Sequence, residues 1–524
     1  MHAGVRCMIR RWMSQGCFTQ PIPFTAEDVS KIDNASISGY QSKLAKYKEL
    51  EKAALIGGGP RGIERHVTKN RKVLIRERIK NILDQDSPFL EIGKLAGFDM
   101  PYGDLPAAGV VAGIGRIQGI YCMISGNDAT VKAGTYYPIT VKKSGRVQNI
   151  SEMNRLPVIY MPDSGGAFLP LQSEIFIYGG RGFYNQAVMS SKGIAQIAMV
   201  CGSCTAGGAY NPTMSDEAII IDRIGKIFLG GPPLVKAATG EIVTDEDLGG
   251  AFMHSSVSGC TDYFATDETQ GFKMCREIVE SLNMRPVPVP NTSSFLQPKA
   301  DLTWTDLEGK SHLDKVEIYG VLSGLLDGST FKEFKAFYGP GLITGSGYIE
   351  GNMVGIIANS GQILEAEALK AAHFIDMCNR RATPLIFLQN SDATSALAND
   401  SYDLKPRGSM SAAVATACVP KISVTLTGCF HEDYLLMCGP SYNPNLNFAW
   451  PGAQFSSFLM DNAGLPEKRD DEEFDAFYAA FNVLTDAIIT PEITRMVLGE
   501  SLRIVKQQSL NLPVTNLRYP VFRM

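Results

Sequence analysis

The stretch "GIGRIQGIYCMISGND" at residues 113–128 recurs in altered form as "GSGYIEGNMVGIIANS" at residues 345–360. The two segments align without a gap and share glycine, isoleucine and asparagine at fixed positions. The identical pairs are Gly113 with Gly345, Gly115 with Gly347, Ile117 with Ile349, Gly119 with Gly351 and Asn127 with Asn359. This self-similarity predicts that the chain folds as two copies of one structural unit.

Two more pairs of segments follow in the same order. "LPVIYMPDSGGA" at residues 156–167 matches "TPLIFLQNSDAT" at 383–394, and "QIAMVCGSCTAGGAY" at 196–210 matches "KISVTLTGCFHEDY" at 421–434. Each block begins with a short apolar run, passes through glycine or polar turn residues and leads into helical spacing. The order strand, turn, helix, strand predicts right-handed βαβ units with helices packed over a sheet.

The composition is that of a soluble globular protein, with 524 residues of which 45% are hydrophobic and 20% charged. This length predicts two domains of similar size. A formal net charge of -5 and the lack of long runs of like charge argue against nucleic-acid binding. No apolar stretch approaches the roughly 18 residues of a membrane-spanning helix, so we expect no membrane association.

The first 26 residues have the composition of a targeting segment. They contain Arg6, Arg10 and Arg11 but no acidic residue, which is typical of a mitochondrial transit peptide. A disordered basic tail is the alternative interpretation. We therefore expect the protein to act in the mitochondrial matrix.

A proline-rich stretch separates the duplicated halves and indicates a linker. It contains Pro286, Pro288, Pro290 and Pro298, which prevent regular helix or central strand. The predicted organisation is a transit peptide over residues 1–26, an N-terminal domain over 27–284, a linker over 285–314 and a C-terminal domain over 315–524.

Two glycine pairs, in "DSGGA" at residues 163–167 and "TAGGA" at residues 205–209, each follow a predicted strand. Such a corner presents main-chain N–H groups with no Cβ atom to obstruct an incoming oxygen. Side by side, two corners could hold a thioester whose carbonyl becomes an enolate. The candidate substrate site therefore comprises Gly207 and Gly208 in one corner and Ser164, Gly165, Gly166 and Ala167 in the other. The alternative is that these glycines only let helices pack close to strands.

Other catalytic chemistry finds little support in the sequence. The eleven cysteines are scattered, which favours reduced thiols over a disulfide scaffold. Cys201 and Cys204 have the CxxC spacing of redox and zinc sites, but no second CxxC or nearby His pair accompanies them. We interpret them as a strand end running into a loop and expect no metal. Neither HExxH nor a nucleophile elbow occurs, so backbone amides are expected to carry any reaction.

Several longer motifs resemble the carboxyltransferase β subunits of biotin-dependent acyl-CoA carboxylases, and in particular the methylcrotonoyl type. They are "NDATVKAGTYYPITVKK", "DSGGAFLPLQ", "FYNQAVMSSKGIAQIAMVCGSCTAGGAYNPTMSDEAIII", "IFLGGPPLVKAATGEIVTDEDLGG", "FKEFKAFYG" and the final "FRM". The resemblance runs from about residue 40 to the C-terminus and is most specific in the first half.

The resemblance implies an α/β fold of two tandem crotonase-like domains, each a ββα superhelix. It implies that Gly207 and Gly208 hold the enolate oxygen of an acyl-CoA, and that a matching pair of amides in the second domain holds the ureido oxygen of biotin. Biotin would be carried by a partner α subunit, with no cofactor bound directly by this chain. A ring of six β subunits and a mitochondrial step in leucine breakdown are also implied.

The second half departs from the family's pattern where it would face biotin. Glu432 and Asp433 replace an alanine and a glycine, His431 replaces another glycine, and further changes fall at residues 392–394 and 458–463. A carboxylate about 4 Å from a developing anion repels it by about 4 kcal/mol at an effective dielectric near 20. We therefore expect impaired carboxyl transfer, and we expect the altered turn to form a solvent-exposed loop.

Three functions remain open. The first is a methylcrotonoyl-CoA carboxylase β-type subunit that transfers a carboxyl group from biotin to an acyl-CoA. The second is a non-catalytic relative that binds acyl-CoA or joins carboxylase rings. The third is another crotonase-type acyl-CoA reaction, such as hydration or decarboxylation, run from the first domain alone.

Overall fold

The computed structural model describes most of the two duplicated halves. The described residues are 20–21, 34–288, 295–299, 312–391, 404–430, 433–456, 474–511 and 520–521. The predicted transit peptide therefore lies outside the described residues except for Gln20–Pro21. The altered segments 392–394 and 458–463, together with His431 and Glu432, also lie outside them.

The chain divides into two compact units. The described residues of the first unit fall within Glu49–Val287, Phe481–Val483 and Lys506–Met524, and those of the second fall within Met1–Lys48, Pro288–Ala480 and Leu484–Val505. The main border thus falls between Val287 and Pro288, inside the proline-rich stretch. Each unit also takes a segment from the far end of the chain.

The described strands form one larger sheet in each unit and two small strand pairs. They are β1 (Gln20–Pro21), β2 (Leu90–Ile92), β3 (Val110–Ile117), β4 (Ile120–Asn127), β5 (Val158–Met161), β6 (Gln196–Val200), β7 (Ser203–Thr205), β8 (Glu217–Ile221), β9 (Lys226–Phe228), β10 (Tyr263–Ala265), β11 (Thr330–Glu333), β12 (Leu342–Ile349), β13 (Asn352–Asn359), β14 (Leu385–Gln389), β15 (Lys421–Thr425), β16 (Gly428–Phe430), β17 (Leu446–Ala449), β18 (Gln454–Ser456) and β19 (Ala487–Ile488).

The strand order is the same in the cores of the two sheets. The first unit has the order β10-β8-β6-β5-β4-β3-β2, and the second has β1-β11-β12-β13-β14-β15-β17-β19. In both, an antiparallel hairpin is followed by parallel strands. Two small parallel pairs, β7 with β9 and β16 with β18, stand outside the larger sheets. The predicted α/β architecture and its duplication are confirmed.

The α-helices of the described chain connect and cover these strands. They are α1 (Asn34–Ile56), α2 (Gly59–Glu64), α3 (Ile75–Ile82), α4 (Pro138–Asn154), α5 (Gln172–Ser191), α6 (Tyr210–Met214), α7 (Pro232–Thr239), α8 (Asp245–Gly249), α9 (Glu268–Ser281), α10 (Lys315–Leu325), α11 (Glu365–Arg380), α12 (Leu404–Thr416), α13 (Asp433–Leu436), α14 (Ala476–Phe481) and α15 (Pro491–Leu510).

The quoted glycine-rich stretches are the two hairpins, β3–β4 and β12–β13. Gly119 and Gly351 occupy the tight turns with φ of 76° and 75°, a conformation that favours glycine. In each turn the glycine N–H donates to a carboxylate oxygen at 2.8 Å, that of Asp84 in the first unit and Asp327 in the second. The shared glycines therefore reflect one turn geometry used twice.

Each unit also buries a lysine under its hairpin. Lys143 Nζ donates to the carbonyl oxygens of Gly93, Ala107 and Val110 at 3.0, 2.9 and 2.5 Å. Lys370 Nζ donates to the Leu342 carbonyl oxygen at 2.6 Å. Burial lowers the pKa of Lys143 to about 7 and that of Lys370 to about 8. These contacts fasten a helix, α4 or α11, to the start of the hairpin beside it.

Lys143 should give the stability of the chain a recognisable pH dependence. Its pKa is about 7 in the fold and about 10.4 in an unfolded chain, so between these values the unfolded chain binds more protons. The contribution of Lys143 to the free energy of unfolding therefore rises with pH in this window and is lowest below it.

We expect the free energy of unfolding of the wild type minus that of Lys143→Met to rise from about pH 7 to about pH 9. Chemical denaturation across this range measures it, and Lys273→Met, which changes an exposed lysine on α9, is the control. A difference that shrinks with pH would contradict the burial of Lys143.

Candidate functional site

The two predicted glycine corners lie side by side in the first unit. Ser164 forms a parallel bridge with Cys204, and the Ser164 N–H donates to the Ser203 carbonyl oxygen at 2.6 Å. The segment after β5 therefore runs alongside β7, the strand that leads into Gly207 and Gly208. These two glycines lie in a 3-10 turn, Ala206–Ala209, that continues into α6.

Both corners open on one cavity of about 1060 Å³ within the first unit. Of the predicted site residues, Gly165, Gly166, Ala167, Gly207 and Gly208 line it. Helices α4 and α5 supply much of the remaining wall. A volume near the upper end of the range for small-molecule sites accommodates a sizeable ligand.

Ser164 lies behind the cavity wall and supports the main chain of the first corner. It is 2% exposed, and its hydroxyl accepts a hydrogen bond from the Gly166 N–H at 3.1 Å. The Gly165 N–H donates to the Ala133 carbonyl oxygen at 3.1 Å. The N–H groups of Gly165 and Gly166 thus already hold acceptors of the chain, which directs attention to the second corner for a ligand oxygen.

Packing does not explain the glycines of the second corner. A Cβ atom at Gly208 would meet nothing within 4 Å, and one at Gly207 would lie 3.6 Å from the Phe183 ring, an ordinary contact. Gly166 differs because its φ of 99° itself favours glycine. The interpretation that Gly207 and Gly208 only allow close helix packing therefore finds no support, since what their missing side chains leave free is space in the cavity.

A buried cluster of charges lies beneath the first corner. The Asp163 carboxylate accepts hydrogen bonds from Lys72 Nζ at 2.9 and 3.1 Å and lies 3.8 Å from Arg78 Nη1. Arg78 is fully buried and donates to both carboxylate oxygens of Glu268, at 2.6 and 3.0 Å. Gly202 gives this cluster its room, since a Cβ atom there would lie 2.0 Å from the Asp163 carboxyl carbon.

Sequence reasoning missed this cluster. The partners in this cluster, Lys72, Arg78 and Glu268, lie far along the chain from Asp163. They belong to no sequence motif that predicts their pairing. The available signal was the charged residue Asp163, two residues after the apolar strand β5, because a buried carboxylate needs a partner.

The two cysteines of the CxxC spacing are buried thiols. Cys201 follows β6 directly, and Cys204 lies in β7. Burial raises the pKa of Cys201 to about 12 and holds the pKa of Cys204 well above its ordinary value. Among the described residues, no group of three or more His, Cys, Asp or Glu side chains is arranged to hold a metal ion.

The second unit repeats the backbone arrangement of the corner but not its chemistry. The Ser391 N–H donates to the Gly428 carbonyl oxygen at 3.0 Å, as Ser164 does to Ser203, and β16 corresponds to β7. Asp433, the first residue of α13, then stands where the first unit has Gly208. Its side chain accepts a hydrogen bond from Arg407 Nη2 at 3.2 Å.

The expectation of a solvent-exposed loop is wrong for Asp433, which is only 5% exposed. The ion pair with Arg407 explains the difference, because a guanidinium within hydrogen-bonding distance compensates a buried carboxylate. Cys429 lies near this carboxylate, and burial raises the pKa of its thiol to about 12. Glu432, the other predicted acid, lies outside the described residues.

No α-helix in the described part of the chain is both long enough and apolar enough to cross a membrane.

Comparison with known proteins gives consistent results. The sequence signature of the carboxyl transferase domain matches residues 66–467. The chain is 42% identical to the mitochondrial methylcrotonoyl-CoA carboxylase β chain of Dictyostelium discoideum, over 92% of this chain and 88% of that protein. It is 43% identical to the biotin-dependent 3-methylcrotonyl-coenzyme A carboxylase β1 subunit of Mycobacterium tuberculosis, over 90% of this chain and 95% of that protein.

A solved structure extends the likeness to the fold. The β subunit of geranyl-CoA carboxylase from P. aeruginosa superimposes with a TM-score of 0.83 at 32% sequence identity, covering 94% of this chain and 98% of that one. The predicted fold class, two tandem crotonase-like α/β domains, is thereby confirmed.

Removing the charge of Asp163 should destabilise the first unit. Asp163→Asn keeps the shape of the side chain but leaves Lys72 without its buried partner, so we expect a loss of about 3 kcal/mol in the free energy of unfolding. Urea denaturation measures the loss. Asp222→Asn, which alters a more exposed pair with Arg223 at 3.6 Å, should cost less than about 0.5 kcal/mol; equal effects would refute an anchoring role for Asp163.

Proposed function

This chain belongs to the carboxyl transferase family, and from that membership we propose that it is a methylcrotonoyl-CoA carboxylase β-type subunit whose own carboxyl transfer is impaired. Its first unit binds an acyl-CoA, and its second unit stands where the family's carboxyl donor would bind. The observation that carries this proposal is the contrast between Gly208 and Asp433 at equivalent places of the two units.

The geometry of the first unit supports acyl-CoA binding. Gly207 and Gly208 line a cavity of about 1060 Å³, and their missing side chains leave the approach to the main chain open. We propose that main-chain N–H groups of this corner hold the thioester oxygen as it gains negative charge. Preorganised donors stabilise a developing enolate without an acid-base side chain.

Biotin carried by a partner subunit would supply the carboxyl group, and the second unit must then receive its ureido oxygen, a hydrogen-bond acceptor. The described residues do not fit this group well. Asp433 brings a further acceptor to the corner, and the nearby guanidinium of Arg407 already donates to it. The ureido oxygen and the Asp433 carboxylate would both be hydrogen-bond acceptors, so no hydrogen bond could form between them.

A non-catalytic role is the second candidate, and the same observation favours it. A buried Asp433 paired with Arg407 leaves the fold of the second unit intact while altering its corner. The chain would then bind acyl-CoA or join carboxylase assemblies without transferring a carboxyl group itself.

We further propose a biotin-carrying α subunit as partner, a six-membered β ring and a place in the mitochondrial matrix in leucine breakdown. Support for association comes from the large apolar side chain of Ile177 on α5, which is 77% exposed and does not line the cavity. The word "mitochondrial" in the name of the Dictyostelium relative supports the location.

Calorimetry with methylcrotonoyl-CoA tests the first-unit site. Gly208→Val places two methyl groups in the cavity where a Cβ atom meets no neighbour, so we expect Kd to rise at least about tenfold, or roughly 1.4 kcal/mol, at unchanged melting temperature. Gly408→Val, at an exposed glycine of α12 with similar free space, is the matched control. Equal affinities would remove Gly208 from the site.

Carboxyl transfer from a carboxylated α subunit tests the second unit. The double variant Glu432→Ala and Asp433→Gly should carboxylate methylcrotonoyl-CoA faster than the wild type by at least about tenfold, because one recovered oxyanion contact is worth on the order of 10²-fold. Glu492→Ala on α15 serves as control, and rates are compared per folded protein because Asp433→Gly removes a buried partner of Arg407. A measurable wild-type rate that the double variant does not improve would overturn the proposed impairment. No turnover by either protein would favour the non-catalytic role.

A further inference from the structure

The helix α5 carries three glycines in its interior, Gly179, Gly180 and Gly182, within a helix of 20 residues. Glycine destabilises a helix interior relative to alanine. All three line the cavity of the first unit, and so does Gly145 on the facing helix α4. The sequence therefore accepts four weak helix positions on the two helices that border the cavity. The three on α5, Gly179, Gly180 and Gly182, form the glycine wall.

Packing within the chain requires none of these glycines. A Cβ atom at Gly145 or Gly180 would meet nothing within 4 Å. At Gly179 and Gly182 it would lie 3.8 Å from Val141 Cγ2 and from Gln148 Oε1, which are ordinary contacts. None of the four has a positive φ. What these positions provide is open volume between α4 and α5.

A buried polar atom at the same cavity points independently to a ligand. Asn211 in α6 lines the cavity, and its Oδ1 atom is buried with no hydrogen-bond partner among the described residues. A buried acceptor left without a donor is costly. A ligand with an N–H or O–H group, such as the amides of a pantetheine arm, supplies the missing donor.

The open volume lies next to the thioester corner. Phe183 follows Gly182 on α5, and its ring is the nearest neighbour of the Cβ position at Gly207; the ring also packs on Tyr210, with centroids 5.2 Å apart. Along α5, Gly179 is one helical turn, roughly 6 Å, from Phe183. A chain attached to a thioester at Gly207 therefore has a path along the glycine wall.

The wall along this path is largely apolar. Val141 on α4 and Ile175 and Phe176 on α5 line it together with the glycines. Each methylene that leaves water for such a wall tightens binding about fourfold. The volume and its apolar lining should therefore increase the affinity for a ligand whose acyl chain continues beyond the first few carbons.

We propose that the groove between α4 and α5 selects acyl thioesters with an apolar chain longer than the methylcrotonoyl group, and that Gly179 and Gly180 determine this specificity. This inference rests on the proposed acyl-CoA binding by the first unit and deepens it. The chain of the ligand lies against the glycine wall, while its carbonyl lies at Gly207 and Gly208.

Isothermal titration of the full chain with methylcrotonoyl-CoA, octanoyl-CoA and decanoyl-CoA tests the inference, with free CoA as baseline. For the wild type we expect Kd to fall at least about tenfold from methylcrotonoyl-CoA to decanoyl-CoA. Gly179→Leu combined with Gly180→Leu fills the groove, so it should raise Kd for decanoyl-CoA at least about tenfold and change Kd for methylcrotonoyl-CoA less than about threefold.

Leucine is a better helix former than glycine, so the double variant should keep or raise the melting temperature of the chain. Gly408→Leu, at a glycine of α12 with free space around it, is the control and should keep the wild-type preference. A wild-type affinity that does not change with chain length overturns this inference alone, as does a double variant that keeps the preference. Failure of every thioester to bind overturns the proposed function as well.

Discussion

The ion pairing of Asp163 is the constraint on which the site of the first unit depends. Its carboxylate lies at the end of a buried strand, directly before the Ser164 to Ala167 segment, and Lys72 and Arg78 surround it. Buried charges are tolerated when they are paired and hydrogen-bonded, and removing one partner is strongly destabilising. Because Gly202 leaves the carboxylate its room, the cluster fixes the segment after β5 against the one that leads to Gly207.

The second unit meets the same structural need without charge. Asn390 takes the place of Asp163, and its N–H donates to the Asn359 side chain at 2.7 Å. Its own Oδ1 accepts a hydrogen bond from Thr427 Oγ1 at 2.6 Å, and Thr427 corresponds by the repeat to Gly202. A neutral network thus replaces a charged cluster under the same backbone turn. The two units thus share a backbone fold but differ in the side chains beneath this turn, so the chemistry of each corner depends on the side chains of its own unit.

What the sequence could predict follows from how local each feature is. The duplication and the buried strands are set by neighbouring residues, and both were predicted correctly. The antiparallel hairpins β3–β4 and β12–β13 were not predicted, because a helix was expected after the first strand and turn of each block. The sequence argument considered the two glycine corners together only on the condition that they lie side by side, and the bridge between Ser164 and Cys204 meets that condition. The partners of Asp163 and the burial of Asp433 depend on side chains from distant parts of the chain, and no local pattern indicates them. The cavity was also beyond prediction, because its volume depends on how α4 and α5 face each other.

The ion pair of Asp433 also changes the physical account of the second unit. A carboxylate held by Arg407 presents less net charge to an incoming anion than a free one. Charge repulsion therefore hinders an anion at the corner of the second unit less than the loss of a glycine does, because a glycine there would leave the main chain open to approach. The anchors of the first corner, Asp163 with Lys72 and Arg78, all belong to the first unit. The corner of the second unit can therefore change while the cavity of the first unit keeps its shape.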